Sequence, residues 1–406
     1  MALVIPRLIS HEPPHPPQSH EPQPSPEPQS ASETHQPPEP RQSPESRQSP
    51  EQHLPEARQL PESQQAPEPQ QATELQEPLE AQQPLVAQQS PASLQSRGPH
   101  QGREALTRDW HAPFPIRVRL TLSVHGRGGG DPTYRIDPVG AVWRTSLTPE
   151  GPATLHVLPE RGQDIAAAAW GPGAAWLLDT LPEMLGAADQ RDGFDPGPHP
   201  LVRQLAARHE GMRIGRSQRV MEALVPAVLE QKVVSIEAHR AWRILLTKFG
   251  RPAPGPAPRG MRVFPPPRVW ARIPSWEWHA AGVEMVRART IGRACGVAGR
   301  LEEVVALDAA EASRRMQLLP GIGVWTAAET MQRAFGDPDA VSVGDYNLPK
   351  AVGWALAGRR VDDEGMLELL APFAGHRYRV TRLVELSGLR PPRRGPRMSV
   401  RDYRHF

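Results

Sequence analysis

Asp345 is the residue on which any chemistry in this chain would turn. It stands where a Gly/Pro-punctuated loop, Phe335 to Gly344, meets a helix read from Tyr346 to Leu356. An aspartate there caps a helix well, because its carboxylate accepts first-turn N–H groups that have no partner within the helix. Capping would also hold the carboxylate in one orientation. About twenty residues upstream lies Leu318-Leu319-Pro320-Gly321-Ile322-Gly323-Val324-Trp325-Thr326-Ala327. A helical run, Ala309 to Gln317, stops at Pro320-Gly321, and a second begins near Val324 and continues to about Phe335. Two helices joined by a Gly-x-Gly hairpin leave backbone N–H groups unpaired at the start of the second. Those donors and the positive end of the helix dipole suit a phosphate, and the glycines let a nucleic-acid backbone come close. Asp337 and Asp339 are rivals by proximity, but Asp-Pro-Asp reads as loop chemistry.

The elements that must position these residues are mostly helices. Leu201 to Glu210, Arg216 to Glu230, Ser235 to Phe249, Val283 to Val297, Leu301 to Leu307 and Ala309 to Leu318 fit three-to-four apolar spacing. Gly250 and the run Pro252 to Pro258 form a loop, and a final helix is expected over Arg377 to Leu386. Ahead of them, Ile116, Val118, Leu120, Leu122 and Val124 alternate with polar residues, which predicts a half-buried strand. Val139 to Leu147 and Ala153 to Leu158 predict further strands, and Ala174 to Leu185 a helix. The expected fold class is α+β: a small antiparallel β-sheet domain with a short helix over 109–199, then an all-α core over 200–390.

Both ends read differently. Residues 1–108 are Pro, Gln, Glu and Ser with a loose repeat (Arg41-Gln-Ser-Pro-Glu, Arg47-Gln-Ser-Pro-Glu), and lack the apolar surface that would offset ordering entropy. A disordered tail is expected there, with a partner, if any, unknown. A basic tail is expected over 391–406. Residues 1–100 hold thirteen Glu, five Arg and no Asp or Lys, a balance of −8, so a net charge of +2 leaves +10 on the rest. A basic body suits a polyanion. The chain has one cysteine, Cys295, which excludes a disulfide framework and a four-cysteine iron–sulfur cluster. No metal-ligand spacing is present and no zinc is expected. With no signal peptide or apolar span, a soluble, cytoplasmic, nucleoid-associated monomer that touches no membrane is expected.

The order of hairpin, Gly/Pro loop and aspartate resembles the helix-hairpin-helix superfamily of DNA glycosylases, and within it the alkylation-repair branch, the 3-methyladenine DNA glycosylases of the second type. The similarity spans roughly Arg117 to Gly388 and is strongest from Leu318 to Lys350. The resemblance implies that Asp345 is catalytic and that Gly321, Ile322, Gly323, Val324 and Thr326 grip a phosphate of duplex DNA, with Na+ or K+ at the hairpin carbonyls and no other cofactor. Val228-Leu229-Glu230-Gln231-Lys232-Val233 matches the segment whose side chain wedges into the duplex, which makes Gln231 and Lys232 DNA contacts. The base pocket would hold Trp325, Glu329, Tyr346 and Glu385. Four positions depart from the pattern. Glu230 replaces a glycine, Lys232 an uncharged wedge, Glu329 an aromatic and Glu385 a tryptophan.

Breaking an N-glycosidic bond puts positive charge on the sugar, and a fixed carboxylate beside it stabilises that charge and can orient water. A purine alkylated at N3 or N7 leaves as a neutral base and needs no general acid. Lyase relatives carry a lysine where Trp325 stands, so the resemblance implies base release by water, without strand cleavage. An acidic pocket from Glu329 and Glu385 would favour cationic bases or read exocyclic amines. Two alternatives stay open: a hairpin DNA-binding protein without catalysis, and a glycosylase for another damaged base. Trp276, Trp278 and His279 read as an aromatic knot in the core.

Overall fold

The computed structural model describes residues 104–392. The expected tails fall almost wholly outside them. Structure begins within the last residues assigned to the N-terminal tail, where Leu106–His111 forms a strand, β1. Four more strands follow: β2 (Tyr134–Ile136), β3 (Val142–Thr148), β4 (Gly151–Val157) and β5 (Asp164–Trp170). β2 to β5 form an antiparallel meander, and β1 closes its far edge beside β5, with Leu106 opposite Ala169, giving the order β1-β5-β4-β3-β2. β3 and β4 lie close to the strands expected over Val139 to Leu147 and Ala153 to Leu158.

The strand expected over Ile116 to Val124 is a correction. Val118–Leu122 is a helix, continued by a 3₁₀ turn over Ser123–His125. Val118, Thr121 and Leu122 are buried, the helical spacing, and Val118 and Leu122 join the core under the sheet. Leu120 leaves on another side and packs on a separate helical cluster. Alternating apolar residues that serve two cores look like a strand that serves one. β5 carried the opposite ambiguity. Its Ala166–Ala169 run is made of good helix formers, yet Ile165, Ala167 and Ala169 are buried in period two, beneath the helix Ala174–Asp179.

From Pro200 the chain is helical around two separate cores. The first gathers Val220–Leu229, Ser235–Phe249, Met285–Gly296 and the hairpin helices, with Trp242, Phe264, Trp270 and Trp278 inside it. The second gathers Pro200–Arg208, Leu348–Ala357, Asp363–Leu370 and Arg377–Ser387. The aromatic knot divides between core and surface, since Trp278 is 4% exposed and Trp276 68%. Three further helices lie outside those expected: Pro267–Trp270, Ser275–Ala280 and Asp363–Leu370.

The sheet is bound to the helices by buried polar groups. Glu222 accepts from Arg144 and Leu147 of β3, at 3.0 and 2.6 Å. Arg379 of the last helix pairs with Asp189, both side chains almost fully buried. The short pair Arg251–Pro252 and Arg262–Val263 adds a backbone link, Arg262 N–H to the Pro132 carbonyl at 2.7 Å.

Candidate active site

The hairpin joins Ala309–Gln317, capped by Asp308 on Glu311 N–H at 2.9 Å, to Val324–Thr330. Gly321 has φ +98, and a Cβ built on it would lie 2.2 Å from Thr290 Oγ1, so only glycine lets the turn close on Met285–Gly296. Ile322, 4% exposed, plugs the turn into the first core. Gly323 sits at the N-cap of Val324–Thr330, no side chain caps that helix, and a Cβ on Gly323 would meet nothing. Gly321, Gly323 and Val324 are exposed. An uncapped helix start beside bare glycines is open to an anion.

Val324–Thr330 runs into a π-helical stretch, Met331–Phe335, which Gly336 ends in the left-handed region. The loop then crosses from the first core to the second, where Val341 packs, and delivers Asp345. The Asp345 Oδ1 accepts from Asn347 N–H at 2.7 Å and Leu348 N–H at 2.8 Å at the entry to Leu348–Ala357, a helix that begins two residues later than expected and has Asn347 at its N-cap. Its Oδ2 accepts from the Trp325 indole at 3.3 Å. Both oxygens are therefore aimed by donors, and the carboxylate stays partly exposed at the seam between the cores. The rival acids are engaged elsewhere. Asp339 is clamped by Arg377, which holds it below the usual carboxylate range against the effect of burial. Burial pushes Asp337 up.

Gln231 ties the expected wedge to the hairpin. Its amide donates to the Gly321 carbonyl at 2.9 Å and to Thr326 Oγ1 at 2.8 Å. Thr326 is thus buried and serves Gln231 instead of presenting its hydroxyl to solvent. Lys232 is exposed, with φ +55, a conformation rare outside glycine. Arg293 donates to the Pro320 carbonyl at 3.3 Å.

Glu329 and Glu385, expected in the base pocket, each meet an arginine. Glu329 is 13% exposed and pairs with Arg333 at 2.8 Å while accepting from Ser342 Oγ at 2.5 Å. Glu385 pairs with Arg382 at 2.6 Å. Each carboxylate is neutralised by an arginine three or four positions away on its own helix, a spacing already visible in the sequence. Tyr346 is 73% exposed and lies beneath Lys350, whose ammonium is 3.0 Å from the ring centroid.

The residues absent from the sequence reading are those that act across long separations. Arg127 reaches Glu230 at 3.0 Å, Arg287 donates to the Leu229 carbonyl at 2.7 Å, and Arg333 donates to the Val124 carbonyl at 3.0 Å. No local pattern marks any of these three long-range contacts.

No protein-family model matches the sequence. Over 156 residues the chain is 33% identical to the probable bifunctional transcriptional activator/DNA repair enzyme AlkA of Mycobacterium tuberculosis, a match that takes in 37% of this chain and 30% of that protein. The chain thus spans under a third of the length of that curated relative. The structure is similar to the 3-methyladenine DNA glycosylase of Archaeoglobus fulgidus, with TM-score 0.60 and 17% identity over 69% of this chain and 98% of the other. It is also similar to the 8-oxoguanine glycosylase/lyase of Clostridium acetobutylicum, solved with double-stranded DNA containing cytosine opposite 8-oxoG, with TM-score 0.53 and 13% identity over 68% and 93% of the two chains.

Proposed function

We propose that this chain, which shares the fold of the helix-hairpin-helix DNA glycosylases, is a glycosylase of base-excision repair that releases alkylated purines from duplex DNA by hydrolysis. One observation carries the reading: Asp345 is a part-exposed carboxylate aimed by two backbone N–H groups and an indole, on the loop that follows an uncapped glycine hairpin. The hairpin N–H groups bind a phosphate of the damaged strand. A nucleotide turned out of the stack brings its sugar to Asp345, whose fixed charge stabilises the cationic sugar as the base leaves and orients the water that replaces it. Preset donors on the carboxylate mean it need not reorganise during the reaction.

Water is the nucleophile in this reading because no lysine lies in the hairpin. Of the chain's three lysines, Lys248 pairs with Glu277 and Lys350 stacks on Tyr346. Strand cleavage is therefore not expected. The neutralised pairs Glu329–Arg333 and Arg382–Glu385 favour a second reading of the substrate, a neutral damaged base recognised by hydrogen bonds.

Asp345→Asn is the test, scored as base release from methylated duplex and from single-lesion oligonucleotides. Asn keeps an acceptor for the Asn347 and Leu348 N–H groups, so the fold survives. Loss of the charge is expected to slow release at least about a hundredfold. Equal release by wild type and variant would exclude Asp345 as the catalytic carboxylate.

A further inference from the structure

We propose that Glu230, held by Arg127, is a positioning residue for Lys232, and that through this pair the sheet domain takes part in filling the gap left by an extruded nucleotide. The inference rests on the glycosylase reading only for what Lys232 meets.

The turn after Val220–Leu229 is fixed residue by residue until it reaches Lys232. Arg287 holds the Leu229 carbonyl at 2.7 Å. The Glu230 carboxylate, 17% exposed, takes Arg127 at 3.0 Å and has His239 at 3.6 Å. Burial alone would push that carboxyl up, but Arg127 and His239 bring it down to about 2. Gln231 is bound to the hairpin, as described. Lys232 then stands exposed in the left-handed region, and no described residue pairs with it. A left-handed lysine is strained, so its neighbours must impose the conformation.

Arg127 is itself prepared for this task. It belongs to the loop between the first helix and β2, and its N–H donates to Asp131 Oδ2 at 2.7 Å. The other Asp131 oxygen accepts from the Trp242 indole at 3.0 Å, which pins the loop to Ser235–Phe249, and Arg243 adds a bond to the Gly129 carbonyl at 3.2 Å. Gly128 gives His239 room, since a Cβ there would lie 2.6 Å from its Nδ1. A glycine at position 230 would leave this arginine, 5% exposed, without its partner. Glutamate at this position thus joins a loop of the sheet domain to the residue beside the wedge, and presets a cationic side chain for a phosphate-lined gap.

Equilibrium binding to duplex carrying a stable tetrahydrofuran abasic analogue, against the same duplex undamaged, tests the proposal. Wild type is expected to prefer the abasic duplex, and Lys232→Ala and Glu230→Gln each to lose about tenfold of that preference. The double variant is expected to lose no more than either alone, because both remove one device. Thermal melting of each variant accompanies the binding. Four results would each overturn the proposal: no preference in the wild type, an unchanged preference in Glu230→Gln, multiplicative losses in the double variant, or equal loss of affinity for both duplexes with a parallel fall in melting temperature. Preference for the abasic duplex without release of any methylated base would sink the glycosylase reading and leave this one standing.

Discussion

Gln231→Met asks whether the wedge turn holds the hairpin in its binding shape. The substitution keeps the length of the side chain and removes two hydrogen bonds, to the Gly321 carbonyl at 2.9 Å and the Thr326 hydroxyl at 2.8 Å. Each is neutral and contributes about 0.5–1.5 kcal/mol net. Two such bonds sum to about 1–3 kcal/mol, and because the Gly321 oxygen lies on an exposed residue, where water can replace the amide, the loss is about 2 kcal/mol and not the upper limit. For a folded body of this size that lowers the melting temperature by about 4–8 °C. The freed hairpin must then be ordered when DNA binds, which is expected to weaken affinity about fivefold to tenfold, equally for damaged and undamaged duplex. Melting by calorimetry and binding by fluorescence anisotropy read the two effects. A melting temperature that falls while both affinities stay at wild-type values would refute the argument that this contact presets the hairpin for phosphate.

The two hairpin glycines are expected to separate folding from binding. Gly321→Ala collides with Thr290 and keeps an unfavourable φ, so it should destabilise by about 2 kcal/mol in a denaturant titration, whereas Gly323→Ala meets no atom and should melt like wild type yet lose DNA affinity severalfold, a result that fails if its affinity is unchanged. Acid unfolding should reveal Glu230. Its carboxyl titrates at about 2 in the folded protein against an ordinary 4.5, so its stabilisation is complete above about pH 4.5 and is lost as pH falls toward 2. That loss amounts to roughly 3 kcal/mol, and Glu230→Gln should flatten that part of the stability–pH curve. Glu329→Gln leaves Arg333 buried beside a neutral partner and should cost about 3 kcal/mol in thermal melting; a silent substitution would show that Glu329 is not structurally committed.

The sequence alone determined the parts whose physics is local. Gly-x-Gly between two helical runs specified the hairpin, because the positive φ at Gly321 admits little else. Asp345 near a helix start specified a fixed carboxylate, and the structure supplies two N–H donors to it, although the helix itself begins only at Leu348. Helices with one apolar face, such as Ser235–Phe249, were legible for the same reason. Only tertiary structure decided the rest. Val118–Leu122 is a helix because its apolar residues face two different cores, and Asp164–Trp170 is a strand because two neighbouring strands pair with its alanines. Arg127, more than a hundred residues from its partner, became the anchor of the wedge turn. A buried charge is settled by whichever opposite charge the fold brings to it, and spacing along the chain carries no record of that meeting.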